Sequence, residues 1–160
     1  MTLYEKSSLF LLRVGLGLLF FYTGITKVLD SDWSAAGYLN NAKTFPAFYS
    51  WLASPGILPI TNLVNEWGLT LLGVSLLLGV FVRVSSIGGA ILMLLYYFPA
   101  VEMKAFEFFP QITVPYIGMN SVLVDEHIVY ALAFVALAVF RAGRAWGLEP
   151  FVSRKYRFWG

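Results

Sequence analysis

The sequence predicts an all-α integral membrane protein: a four-helix transmembrane bundle with amphipathic outer-face helices between spans one and two. Three observations carry that expectation. The 160 residues are 59% hydrophobic, 18% aromatic and only 12% charged, whereas a soluble domain averages roughly 45–50% apolar and about 25% charged. A sphere of this size has too little interior to hide so much apolar surface. Four apolar segments recur at about 8–29, 65–82, 84–101 and 126–142, each near the ~20 residues that cross a bilayer. The basic residues also fall unevenly on the two sides those segments define. The whole chain, 1–160, reads as one membrane domain.

The first segment contains LFLLRVGLGLLFFYTGITKVL. No positive leader with a small-residue cleavage site precedes it, so it reads as a retained helix. The next 35 or so residues carry Pro46, Pro55, Gly56 and Pro59, with Trp33, Tyr38, Phe45, Tyr49 and Trp51 mixed among polar residues. That mixture suits one or two short helices lying on the outer leaflet. Spans two and three meet at Arg83 with almost no loop. The stretch Lys104–Leu123 holds Pro110, Pro115 and Gly118 among aromatics and reads as interfacial or partly re-entrant. Residues 143–160 form a short basic tail.

Charge orients the chain. With both termini and Arg83 on one side, that side holds Lys6, Arg13, Arg83, Arg141, Arg144, Arg154, Lys155 and Arg157 against Glu5 and Glu149, a balance of +6. The other side holds Lys27, Lys43 and Lys104 against Asp30, Asp32, Glu66, Glu102, Glu107, Asp125 and Glu126, a balance of −4. The positive-inside rule then places both termini in the cytoplasm. The basic collar suits anionic lipid headgroups rather than nucleic acid. Absent cysteine and a single histidine, His127, leave no thiolate, iron–sulfur cluster or bis-histidine haem to this chain. No metal is expected.

Small residues line one face of each span: Arg13, Gly17, Phe20, Gly24 and Lys27 on the first, and Gly68, Leu72, Ser75 and Gly79 on the second. The third carries Ser85, Gly89, Leu92 and Tyr96, and the fourth His127, Ala131, Phe134, Ala138 and Arg141. In lipid such stripes are packing devices, since helices associate there through close approach.

Ionisable residues at membrane depth cost roughly 2.5–3.5 kcal/mol, so they face the bundle and seek partners. Arg13 and Lys27 are only about 21 Å apart along a helix, and His127 and Arg141 have the same spacing. Helix dipoles account for Lys27, Arg83 and Arg141 at C-terminal ends and for Glu66, Asp125 and Glu126 at N-terminal ends. Asp125 also reads as an N-cap. Arg13 opposes its dipole and calls for a partner or a lipid headgroup. At the outer level Lys27, Glu66, Asp125, Glu126 and His127 converge, with Tyr96 and Tyr97 nearby and Trp33 and Trp67 at the rim. An imidazole among carboxylates can move protons near neutral pH. The aromatics fit either a flat quinone ring or an ordinary interfacial belt, the commoner arrangement. Lys27 and Glu66 are expected to form an ion pair.

Several segments resemble a known family. Arg13-Val-Gly-Leu-Gly-Leu-Leu-Phe followed by Tyr22-Thr-Gly-Ile-Thr-Lys27 is similar to the opening of DoxX-like proteins. Asp32-Trp-Ser-Ala-Ala-Gly-Tyr-Leu39, Pro46-Ala-Phe-Tyr-Ser-Trp51 and Asn65-Glu-Trp-Gly68 resemble the DoxD-type subunit more narrowly. So do Leu78-Gly-Val-Phe-Val-Arg83, Met93-Leu-Leu-Tyr-Tyr97 and Val124-Asp-Glu-His-Ile-Val-Tyr-Ala131, with Ala142-Gly-Arg-Ala-Trp-Gly-Leu-Glu149 at the exit. The resemblance implies a multi-pass protein of a prokaryotic inner membrane, the large subunit of a thiosulfate:quinone oxidoreductase working with a smaller DoxA-type subunit.

Two function classes follow. In the first, Glu66, His127 and Asp125 transfer protons, while Lys27, Trp33, Trp67, Tyr96, Tyr97 and Glu126 bind substrate, and Arg13, Arg83 and Arg141 are structural or lipid-bound. Electrons pass from thiosulfate, or another small sulfur donor, to a membrane quinone. In the second, the chain is a non-enzymatic module that binds lipid or quinone or organises a partner complex, a second copy included. A transporter is weaker, because neither an inverted repeat nor broken helices are evident.

Overall fold

The computed structural model describes residues 1–100 and 124–149. These form six α-helices and no strand: α1 (Leu3–Leu29), α2 (Ala36–Asn40), α3 (Pro46–Leu52), α4 (Leu58–Leu78), α5 (Val82–Ala100) and α6 (Glu126–Val139), with a 3-10 turn at Ala142–Arg144. α1 and α5 are each long and apolar enough to cross a membrane. The expected interfacial stretch at 104–123, Glu102 and the tail beyond 149 lie outside the described residues.

α1 starts on a capping box, in which the Thr2 hydroxyl accepts from the Glu5 amide and the Glu5 carboxylate from the Thr2 amide. Both otherwise orphaned donors of the first turn are thereby satisfied. Its buried face is Arg13, Leu16, Gly17, Phe20 and Gly24, the stripe expected from spacing with Leu16 added and with Lys27 only half-buried at its end. This face packs against α4, its main partner. Gly24 meets Thr70, Gly73 meets Phe21 and Gly17 meets Leu77. One index falls as the other rises, so the two helices run antiparallel. A Cβ on Gly24 or Gly73 would lie 2.3 Å from a backbone nitrogen of the facing helix, so only glycine permits this approach. On α4 the contact glycine is therefore Gly73. Gly68, placed in the packing stripe by spacing, has only Val64 of its own helix near it.

α5 pairs with α6 in the same antiparallel manner. Gly89 receives the Phe134 ring edge and Leu72. Leu69, Leu76, Val82, Phe134 and Leu137 are fully buried where the four long helices meet. The opposite faces are apolar and open: Leu11, Leu18, Leu71, Ile87, Ile91, Leu132 and Val135 are all exposed. Such a band is costly in water and suits lipid.

Span two begins earlier than the sequence reading placed it. α4 starts at Leu58 with Pro59 in its first turn, where the missing N–H costs nothing. Thr61 and Asn62 fell in the expected loop but are helical, because their side chains have internal partners: Leu52 O for Thr61 and the Ala35 amide for Asn62. Asn65, expected to open the span, is held by Tyr96. Glu66 thus lies two turns inside the helix rather than at its start. Likewise Arg83 is the second residue of α5 and is exposed. It does not end span two, because α4 stops at Leu78 with Gly79 as a left-handed cap, φ 66°.

The two short helices form a roof over one end of α5. Pro99, inside α5, cannot donate to Leu95 O. The Tyr49 hydroxyl of α3 takes that vacated carbonyl at 2.9 Å. Next to it, the Tyr38 hydroxyl of α2 donates to Tyr96 O at 2.5 Å, and the Lys43 amide to Pro99 O at 3.0 Å. Ala35, Leu39 and Tyr49 make a small core of their own beneath the roof.

Candidate functional site

A cavity of about 440 Å³ opens beneath this roof, among α1, α4, α5 and α6. Its floor is Leu19, Phe20, Leu69 and Met93, and its mouth carries Lys27, Trp33, Ser34, Glu126 and His127. The composition is that of a small-molecule site: a largely apolar lining with a few polar groups at one end.

Each polar group has a local reason for its position. Lys27 is in the last turn of α1, where the helix dipole favours a cation. Its ammonium lies over the Trp33 ring, 4.5 Å from the centroid, and 5.8 Å from that of Tyr96. The expected ion pair with Glu66 does not form. Among the described residues no carboxylate lies within 4.0 Å of Lys27, and Glu66 acts on it only through space. Glu66 lies at the level of Lys27 in the α1–α4 pairing, but the rotation of α4 turns Asn65 rather than Glu66 onto the buried face.

Asp125 caps α6, its Oδ1 accepting from the Ile128 amide at 3.1 Å. Its other oxygen, Oδ2, lies 2.6 Å from His127 Nδ1. One carboxylate therefore starts the helix and orients the imidazole. With Nδ1 engaged, the remaining ring nitrogen is the one free to exchange a proton. The His127 ring meets Tyr96 edge-on, centroids 6.1 Å apart, so Tyr96 stands between Lys27 and His127. The Tyr96 hydroxyl donates to Asn65 Oδ1, and Asn65 Nδ2 is held by Thr61 O. Loss of water around the Tyr38 hydroxyl, then the nearby Tyr49 and Asp125, push Tyr38 up to about 12. Burial likewise pushes Tyr49 up. Both stay protonated donors at neutral pH.

Of the residues singled out from sequence, Lys27, Trp33, Tyr96, Glu126 and His127 line this cavity, and Asp125 touches it through His127. Glu66, Trp67 and Tyr97 do not line it. Trp67 faces outward and is exposed, while Tyr97 is buried against Phe98. Adjacent residues on a helix point about 100° apart, and the rotations of α4 and α5 turn Asn65 and Tyr96 into the cavity while Glu66, Trp67 and Tyr97 point elsewhere. Asn65, Tyr38, Tyr130, Thr23 and Ser34 line it and were missed. Asn65 had a readable signal, an amide four residues before Leu69 on the buried face of an apolar helix.

At the other end Arg13 is 1% exposed. Its guanidinium donates to Ala142 O at 3.0 Å and Trp146 O at 3.3 Å. Residues 142–149 are therefore a hook folded onto the helices rather than the start of a free basic tail. Leu148 and Glu149 amides bond to Leu78 O and Gly79 O, and Trp146 packs edge-on against Phe10. Burial pushes the Glu149 carboxyl up, although Arg144, Arg13 and Arg141 pull it down. Arg141 adopts a left-handed conformation, φ 48°, at the corner after α6 and is exposed.

The DoxX family model matches residues 8–101. That span holds the cavity's Lys27, Trp33, Asn65 and Tyr96 and ends before Asp125 and His127. No curated protein and no solved structure matches the chain. A match over more than half the sequence, on two helices able to cross a membrane, makes this chain a membrane protein of the DoxX family.

Proposed function

We propose that this chain is the membrane subunit of an oxidoreductase that passes electrons from thiosulfate, or another small sulfur donor, to a membrane quinone. α1, α4, α5 and α6 would be the four spans of a transmembrane bundle in a prokaryotic inner membrane, with both termini cytoplasmic and the cavity at the outer end. Some DoxX proteins are linked to quinone-related oxidoreduction. The observation that carries the reading is the cavity mouth: a lysine with no carboxylate at salt-bridge distance among the described residues, facing a His127–Asp125 pair across one tyrosine.

The residues fit a quinone. The apolar floor and the Trp33 and Tyr96 rings accept a flat ring, and Lys27 and His127 offer donors to its oxygens. The quinone supplies the two-electron sink. Two thiosulfates lose one electron each and join through a new S–S bond as tetrathionate, and the quinone takes two electrons and two protons to become quinol. Lys27 attracts the anionic donor, and His127, oriented by Asp125, delivers protons. No cysteine takes part on this chain. A smaller DoxA-type chain is the partner the sequence resemblance implies.

The test is thiosulfate-dependent reduction of a quinone analogue by purified protein, alone and with its co-encoded partner. Reduction that falls on His127→Gln supports the reading. Failure of both preparations while the protein is folded overturns it and leaves a lipid- or quinone-binding module.

A further inference from the structure

A second cavity, of about 320 Å³, lies beside the first and shares Thr23, Lys27 and Trp33 with it. Its remaining walls are Tyr22, Thr26 and Asp30. The two spaces are therefore separated by a neck that consists of Lys27 lying over Trp33, a contact with no hydrogen bond in it. A lysine on a flexible four-carbon stem can leave such a contact without breaking a directional bond.

The lateral cavity opens on the outer surface of α1, a helix long and apolar enough to span the membrane, where Tyr22 is 70% exposed. Its two threonine hydroxyls are turned away from it. The Thr23 hydroxyl donates to Leu19 O at 2.8 Å, and the Thr26 hydroxyl to Tyr22 O at 2.9 Å. Hydroxyls turned back onto their own helix leave methyl groups for the wall. At the other end of this cavity an Asp30 carboxylate oxygen accepts from the Asp32 amide at 3.1 Å. An apolar chain would therefore run toward Tyr22 and away from Asp30.

Building on the ring-binding reading above, we propose that the two cavities are halves of one site. The inner half holds the ring of an amphipathic ligand. The lateral half takes the apolar chain on that ring and carries it past Thr23 and Thr26 into the bilayer. The ligand class is a polar ring bearing a long apolar chain, drawn from the membrane rather than from water.

Thr26 lines only the lateral half, so it separates the two. Protein in nanodiscs is titrated with a decyl-substituted benzoquinone and with the same ring carrying methyl in place of decyl, both corrected for partitioning and read by tryptophan quenching. The wild type is expected to bind the decyl compound at least tenfold more tightly. Thr26→Trp, whose side chain fills the lateral space, abolishes that advantage and leaves the methyl compound within about twofold. Thr26→Leu, a milder change, reduces the advantage in part and guards against a misfolded Trp variant. Equal affinities in the wild type, or a Thr26→Trp loss shared by both rings, overturn the bipartite site while leaving the ring site standing. Binding of neither ring overturns both.

Discussion

The Arg13 guanidinium donates to the carbonyl of Ala142 at 3.0 Å, joining two residues 129 positions apart. That bond closes the chain, because it ties the first long helix to the segment leaving the last. Arg13→Met would leave the Ala142 and Trp146 carbonyls without their donor and Glu149 without a nearby buried cation. Removing one partner of a buried charged cluster costs about 3–5 kcal/mol. Thermal melting in detergent should show this, and Arg13→Lys should recover little, since an ammonium cannot reproduce the two-pronged geometry.

Glu149 gives the pH dependence at the same end. Burial raises its carboxyl above the ordinary 4.5 despite three arginines, so the folded state binds this proton more tightly than the unfolded state. By linkage its contribution is full below about 4.5 and declines as pH rises through the folded value. Glu149→Gln removes that decline. Melting curves from pH 4 to 8 should show the variant gaining on the wild type with rising pH, and a wild type that gains instead would refute the assignment.

Glycine substitutions should split by sign. Gly24→Ala and Gly73→Ala push a methyl into the facing backbone, an overpacking worth about 1–3 kcal/mol. Gly15→Ala and Gly88→Ala enter open space within a helix and should stabilise by up to about 1 kcal/mol. Denaturant titration of the four variants tests both directions at once.

Tyr49→Phe removes the donor to Leu95 O. A fully buried carbonyl left unpaired costs about 1–3 kcal/mol; this one is part-buried, so the cost should fall at the low end and appear as faster proteolysis within α3. Pro99→Ala restores an N–H to the helix, so the double variant should be less impaired than Tyr49→Phe alone.

Asp125→Asn and Asp125→Ala separate the two duties of that carboxylate. Asparagine is as good an N-cap, so Asn should preserve stability while, under the proposed function, lowering quinone reduction about 100-fold or more, the scale of a lost proton-transfer arrangement. Alanine should also cost about 1 kcal/mol of helix stability. Equal kcat for Asn and wild type would remove Asp125 from the proton path.

The helical periodicity of α1 was legible because its buried face is written in glycine and one arginine, and lipid-facing leucines cannot imitate that pattern. The start of α4 was not. Thr61 and Asn62 look like loop residues until their partners at Leu52 and Ala35 are known, and those partners lie outside the helix. The same limit hid the hook at 142–149, whose basic residues read as a solvated collar although Ala142, Gly143 and Ala145 are buried. Lys27, Tyr96 and His127 could be named from charge and helix level alone. Which of two neighbours faces inward, Tyr96 or Tyr97, Asn65 or Glu66, depends on helix rotation, and that is set by packing.

α1 is locked to α4 and α5 to α6, while α4 touches α5 and α1 touches α6 far less. The cavity lies along the seam between the two pairs, with Phe20 and Leu69 on one wall and Met93 and Tyr130 on the other. The two pairs meet there through side chains, Phe20 against Phe134 and Tyr130, rather than through the close backbone approach that joins α1 to α4.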